Sequence, residues 1–79
     1  MRVIELTWWD AWISTEDIKL AKAKKLKPVK RSTVGYLVED CADWIVLSTD
    51  RFHKGAEVSA PMVIPKGMIL ETHEYAKEK

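Results

Sequence analysis

Five short runs of β-branched, aromatic and aliphatic residues are the main regular structure this sequence encodes. In the first, 3–9, Ile4, Leu6 and Trp8 alternate with Val3, Glu5, Thr7 and Trp9, the period-two signature of a half-buried strand. The others cover 33–39, 44–49, 62–64 and 68–72. Strands this short within 79 residues cannot fill two packed sheets. The expectation is therefore a mainly β (α+β) fold, a single 1–79 domain in which one strongly bent five-stranded sheet closes on itself as a small barrel. Closure would also remove the unpaired edges that invite aggregation.

The long connection between the first two strands carries helix signals. Ser14 and Asp17 have the spacing of a capping box, and Thr15, Glu16 and Asp17 place acidic groups at a helix start with lysines at its end. They predict a helix over about 15–26. Its apolar residues (Ile18, Leu20, Ala21, Ala23, Leu26) form no single stripe, so its packing face is undefined. Pro28 then disfavours helix at Lys27 and returns the chain to an extended path. Residues 40–43 read as a hairpin turn, 50–59 as the most mobile loop, Pro65-Lys66-Gly67 as one tight turn and about 74–79 as a charged, fraying tail.

With 47% hydrophobic and 32% charged residues, the composition excludes disorder and collagen-like structure. The longest run free of charge, 58–65, is far short of the roughly 20 apolar residues of a membrane-spanning helix. Charged Arg2 and Glu5 stand where a signal peptide has its apolar core, and a lone Cys41 suits a reducing compartment. These features predict a cytoplasmic protein without membrane contact.

The net charge of +1 conceals an uneven distribution. Residues 18–38 hold seven basic and no acidic side chains, leaving six basic against twelve acidic in the rest. A lysine-rich run is ordinarily a solvated face. On one face of a fold, though, Lys19, Lys22, Lys25, Lys27, Lys30 and Arg31 would offer a positive patch to phosphates or acidic proteins. Three tryptophans fall close by. Strand alternation sends Trp8 and Trp9 to opposite sides, with Trp8 continuing the Ile4–Leu6 face into the core. Trp9 and Trp12 are left to cover the helix, fill a subunit interface or stack a base. Trp44 is expected in the core. Lys66 and Gly67 sit at a turn whose amides could meet an anion, although a plain turn is the simpler reading. Cys41, His53 and His73 have no spacing that makes a nucleophilic or metal site, and there is no Gly-rich phosphate loop. No catalytic residues, metal or cofactor are expected.

Two resemblances add to this reading. Gly35, Asp40, Trp44 and Leu47 occupy positions comparable to a motif of Sm-like small barrels, with Trp44 standing at the asparagine of that family's RNA pocket. Val63-Ile64-Pro65-Lys66-Gly67-Met68-Ile69 resembles its second motif, with a proline inserted. The long excursion 9–29 is more like the first loop of Src-homology-3-like barrels. More narrowly, the strings 33–40, 43–47 and 64–69, together with 3–12, look like small uncharacterised proteins of bacteriophages and prophages. That resemblance implies a bacterial host cytoplasm and phage tasks, but lends no activity.

The sequence thus predicts a non-enzymatic, homo-oligomeric binding protein. Its expected ligand is nucleic acid or a nucleotide, held by the basic residues and exposed aromatics. The alternative is a protein-interaction module or inhibitor acting on a host bacterial protein.

Overall fold

A computed structural model describes residues 1–75. Seven strands form in the order β1 (Val3–Asp10), β2 (Val29–Asp40), β3 (Trp44–Ser48), β4 (Asp50–Arg51), β5 (Val58–Ser59), β6 (Met62–Pro65) and β7 (Ile69–Glu74). Between β1 and β2 lies a single helical turn, α1 (Leu20–Ala23), and a 3-10 turn, Lys66–Met68, links β6 to β7. Two antiparallel sheets result: a five-stranded sheet ordered β6-β3-β2-β1-β7, and the pair β4-β5.

The alternation in β1 sets the core. Ile4, Leu6 and Trp8 point inward and meet Ile45 and Leu47 of β3 and Ile64 of β6, with Leu37 and Ile69 packed alongside. All come from one face of the sheet, so it must curl around them. The link between its edge strands demands the same. Pro65 and Ile69 are four residues apart, a reach of at most about 15 Å. The two edges of a flat five-stranded sheet stand about 19 Å apart.

The sheet nevertheless stays open, which corrects the expected small barrel. Strand β6 pairs only with β3 and β7 only with β1, so no ladder joins the two edges among the described residues. Two features explain this. Strand β2 serves its partners at different ends, β1 along 29–36 and β3 along 36–40, with a register shift between Leu37 and Glu39. The distal part of the β1–β2 ladder therefore runs on as a two-stranded ribbon instead of adding to a closed wall. The segment 50–59, expected as a mobile loop, instead pairs with itself as β4 and β5. The Ser48 hydroxyl secures that pair from between the backbone oxygens of Asp50, at 2.6 Å, and Ser59, at 2.5 Å, its one proton serving either acceptor.

The predicted helix over 15–26 also shrinks to the one turn 20–23, which buries nothing and has no side-chain cap. Ser14 spends its hydroxyl on Glu16 in a local turn instead. Without a packing stripe, a segment this short has too little to stabilise it as helix. Trp44 is exposed rather than buried, because Ile45 and Leu47 take the inward positions of β3 and alternation turns Trp44 and Val46 out. The expected fraying tail begins too early. Glu74 closes the β7 ladder opposite Ile4 and accepts two hydrogen bonds from Arg2, and the Tyr75 amide donates to the Val3 carbonyl. Residues 76–79 lie outside the described part.

Gly35 sits opposite Ile4, where β2 passes over the end of β3. A Cβ there would stand 2.8 Å from the Ser48 carbonyl oxygen, a backbone atom that cannot swing aside. Gly67 has nothing within 4 Å of that position. Gly35→Ala is therefore expected to lower the unfolding free energy by about 1–3 kcal/mol, while Gly67→Ala leaves it within about 0.5 kcal/mol, as read by urea denaturation.

At the same end of the sheet, on the opposite flank of β1, Tyr75 Oη donates to Glu5 Oε1 at 2.9 Å. That bond, with some desolvation and the charge of Glu5, holds the phenol above its ordinary pKa. A raised acid keeps its proton longer in the fold. Its contribution to stability is thus complete below the unfolded pKa near 10 and is lost as pH rises through the folded value. In a Tyr36→Phe background, ultraviolet titration should show Tyr75 ionising above its unfolded value, and Glu5→Ala should lower that midpoint.

Candidate nucleic-acid interface

The β1–β2 ladder leaves the core through Trp8↔Arg31, Trp9↔Lys30 and Asp10↔Val29, and residues 11–28 then form an arm between the two strands. Every residue of the arm is exposed except the half-buried Ile18 and Ala23. The protein is accordingly elongated, with extents of 54 × 22 × 22 Å and a radius of gyration of 16.0 Å. A compact chain of this length has a radius near 12 Å.

At the root of the arm, alternation separates the adjacent tryptophans. Trp8 is buried and its Nε1 donates to Thr33 Oγ1 at 3.0 Å, whereas Trp9 is 39% exposed and shares the outer face with Lys30. Trp12 ties the two stems of the arm together, its Nε1 donating to the Lys27 carbonyl at 2.7 Å. Two clefts flank that tie. The wider, about 510 Å³, is lined by Trp9, Lys27, Pro28, Gly67 and Met68. The narrower, about 280 Å³, lies between Trp12, Ser14, Leu26, Lys27 and Pro28. The wider falls within the usual range for a small-ligand site, and the narrower lies near its lower limit.

The structure thus brings Trp9, Trp12, Lys27 and Gly67 to one place, with Lys30 across the ladder from Trp9. Lys19, Lys22 and Lys25 lie farther out along the arm. The other two basic candidates are engaged. Arg31 Nε pairs with Asp10 Oδ2 at 2.7 Å, and Lys66 Nζ with Asp40 Oδ1 at 2.6 Å. Among the described residues, Lys19, Lys22, Lys24, Lys25, Lys27 and Lys30 have no acidic partner.

Ala11, Ser14, Leu26, Pro28 and Met68 complete the clefts, and sequence reasoning missed all five as site residues. Pro28 signalled only the end of a helix. Met68 reaches the site because the 3-10 turn carries the chain past the end of β1, a placement no local pattern encodes.

Cys41 lies in the β2–β3 turn, His53 in the 52–57 loop and His73 on β7 against the Tyr75 ring. No group of three or more His, Cys, Asp or Glu that could hold a metal ion is gathered among the described residues. No described helix is long and apolar enough to cross a membrane.

Fold and site together describe a small, mostly β protein with an open curled sheet and a protruding basic arm rooted in two tryptophan-lined clefts. No protein-family model, no curated protein and no solved structure matches the chain. The chemistry of the site is therefore argued from its own residues.

Uncompensated lysines around exposed indoles create a local positive potential. Iodide should quench the tryptophan fluorescence more steeply than caesium. The double variant Trp9→Phe/Trp12→Phe should lose most of that difference and Trp44→Phe should retain it. Equal quenching by the two ions would show that no such potential surrounds the clefts.

Proposed function

We propose that this protein is a non-enzymatic binding module for single-stranded nucleic acid. The observation that carries the reading is the concentration, on one arm and its root, of six lysines without acidic partners among the described residues, together with two exposed tryptophans beside open clefts. Lysines spread over positions 19–30 suit a string of phosphates better than the single phosphate group of a nucleotide. Exposed indoles favour a strand whose bases are unstacked, since a duplex hides the base faces that an aromatic ring would cover.

Binding of this kind releases counterions, so log K falls with log salt at about −0.7 per phosphate neutralised on a single strand. If all six lysines engage, the slope approaches about −4. Anisotropy titration of a labelled 20-mer of oligothymidylate across a salt series measures it. Lys22→Glu/Lys25→Glu/Lys27→Glu should weaken binding at least tenfold and flatten the slope. Asp10→Asn, which frees Arg31, should tighten it. Absence of binding at low salt, or a salt-insensitive complex, would overturn the reading.

A second reading rests on a different observation. Ile13 is 86% and Leu20 71% exposed on the arm, and Trp44 and Val63 share the outer face of the β3–β6 pair. A polyanion leaves these apolar groups uncovered. They favour a protein partner, either a second copy of the chain or a host protein. Such an association should survive both high salt and the triple lysine reversal, which sedimentation measurements resolve for the second copy.

A further inference from the structure

The two clefts are separated by one rib, and that arrangement says how a strand would lie in them. Lys27 and Pro28 line both the wide cleft on the Trp9 side and the narrow cleft on the Trp12 side. The rib is stiff, because the ring of Pro28 fixes its φ and the Trp12 indole N–H holds the Lys27 carbonyl at 2.7 Å. Each cleft has its own indole, and the lysine common to both stands at the division. The chemistry repeats as aromatic, cation, aromatic. A nucleic-acid strand repeats in the same way as base, phosphate, base.

From this we infer that the site takes one dinucleotide step. One base lies against Trp9 in the wide cleft, the next lies against Trp12 in the narrow cleft, and the phosphate between them rests on Lys27. The inference builds on the single-strand reading and adds a unit of recognition to it. Lys30, opposite Trp9, is placed to meet the next phosphate on the wide-cleft side. Lys19, Lys22 and Lys25 hold more distant phosphates without registering bases. Gly67 lines the wide cleft with no atom within 4 Å of where its Cβ would stand, so a larger side chain there has room to extend over the cleft.

The test compares thymidylyl-thymidine with thymidine 5′-monophosphate, followed through the indole N–H resonances of the four tryptophans. The dinucleoside carries less charge than the mononucleotide, so simple ion attraction favours the mononucleotide. The inference expects the opposite order, with the dinucleoside about five- to a hundredfold tighter, the gain from one additional stacked base. Trp9 and Trp12 resonances should move together, and those of Trp8 and Trp44 should stay in place. Trp9→Ala and Gly67→Leu should each reduce dinucleoside affinity to the mononucleotide level, and Trp9→Phe, which keeps a ring and leaves the Trp12–Lys27 hydrogen bond untouched, should preserve most of it. An undisturbed Trp8 resonance in each variant shows that the core is intact.

Equal or tighter binding of the mononucleotide, or a Trp12 resonance that does not move, overturns the dinucleotide step. If the 20-mer of oligothymidylate still binds with its salt slope in that case, the single-strand reading survives alone. If neither the 20-mer nor the dinucleoside binds, both fall.

Discussion

The register of β1 against β2 is the constraint on which the rest of the structure depends. Eight successive pairs, from Val3↔Tyr36 to Asp10↔Val29, fix which face of β1 is inward. A slip by one residue would expose Ile4, Leu6 and Trp8 and bury Glu5, Thr7 and Trp9 in their place. Gly35 reinforces that register, because only a residue without a side chain fits where the Ser48 carbonyl comes so close. The pairing that assembles the core also turns Trp9 outward across from Lys30 and brings the two stems of the arm side by side. Core and candidate site are thus two faces of one ladder.

Much of this was legible in the sequence wherever a local period controlled the outcome. The alternation of residues 3–9 gave β1, its inward face and the separation of Trp8 from Trp9. The β-branched runs gave β2, β3, β6 and β7 to within a few residues, β2 beginning earlier than expected at Val29. What was not legible depended on contacts between distant segments. Capping residues predicted a helix that had no surface to pack against, and hydrophobicity alone suggested a buried Trp44 although its neighbours had already taken the inward positions. Barrel closure failed because it is a property of the edges, and nothing local to β6 or β7 says whether they meet. In the site, Trp9, Trp12 and Lys27 were visible as residue types, whereas Pro28 and Met68 join them only through the fold. Arg31 and Lys66 showed the reverse problem, since their acidic partners Asp10 and Asp40 lie far from them in sequence.

The arm divides into two parts with different physics. Its root is held by the Trp12–Lys27 hydrogen bond, the Asp10–Arg31 ion pair and the last rungs of the ladder. Its outer part buries almost nothing and owes its shape to one helical turn. Ligand groups meeting the root find side chains already in place, so little ordering entropy opposes them there. The outer lysines, by contrast, are exposed and have no acidic partner among the described residues. The root is thus fixed by hydrogen bond, ion pair and ladder, whereas the outer arm is defined mainly by its exposed charge.

The Arg2–Glu74 contact has a topological consequence. It places the start of β1 beside the end of β7, and the two strands already pair through Ile4 and Glu74. The path of the chain from residue 2 to residue 74 is therefore almost a closed circuit. A short linker could join those positions without disturbing the ladders, and the circuit could be reopened among the outer arm residues, where no core contact would be cut. The order in which the strands occur along the chain is then separable from the sheet they build. Such a permuted chain would keep both tryptophan clefts while carrying its new ends on the two halves of a divided lysine arm.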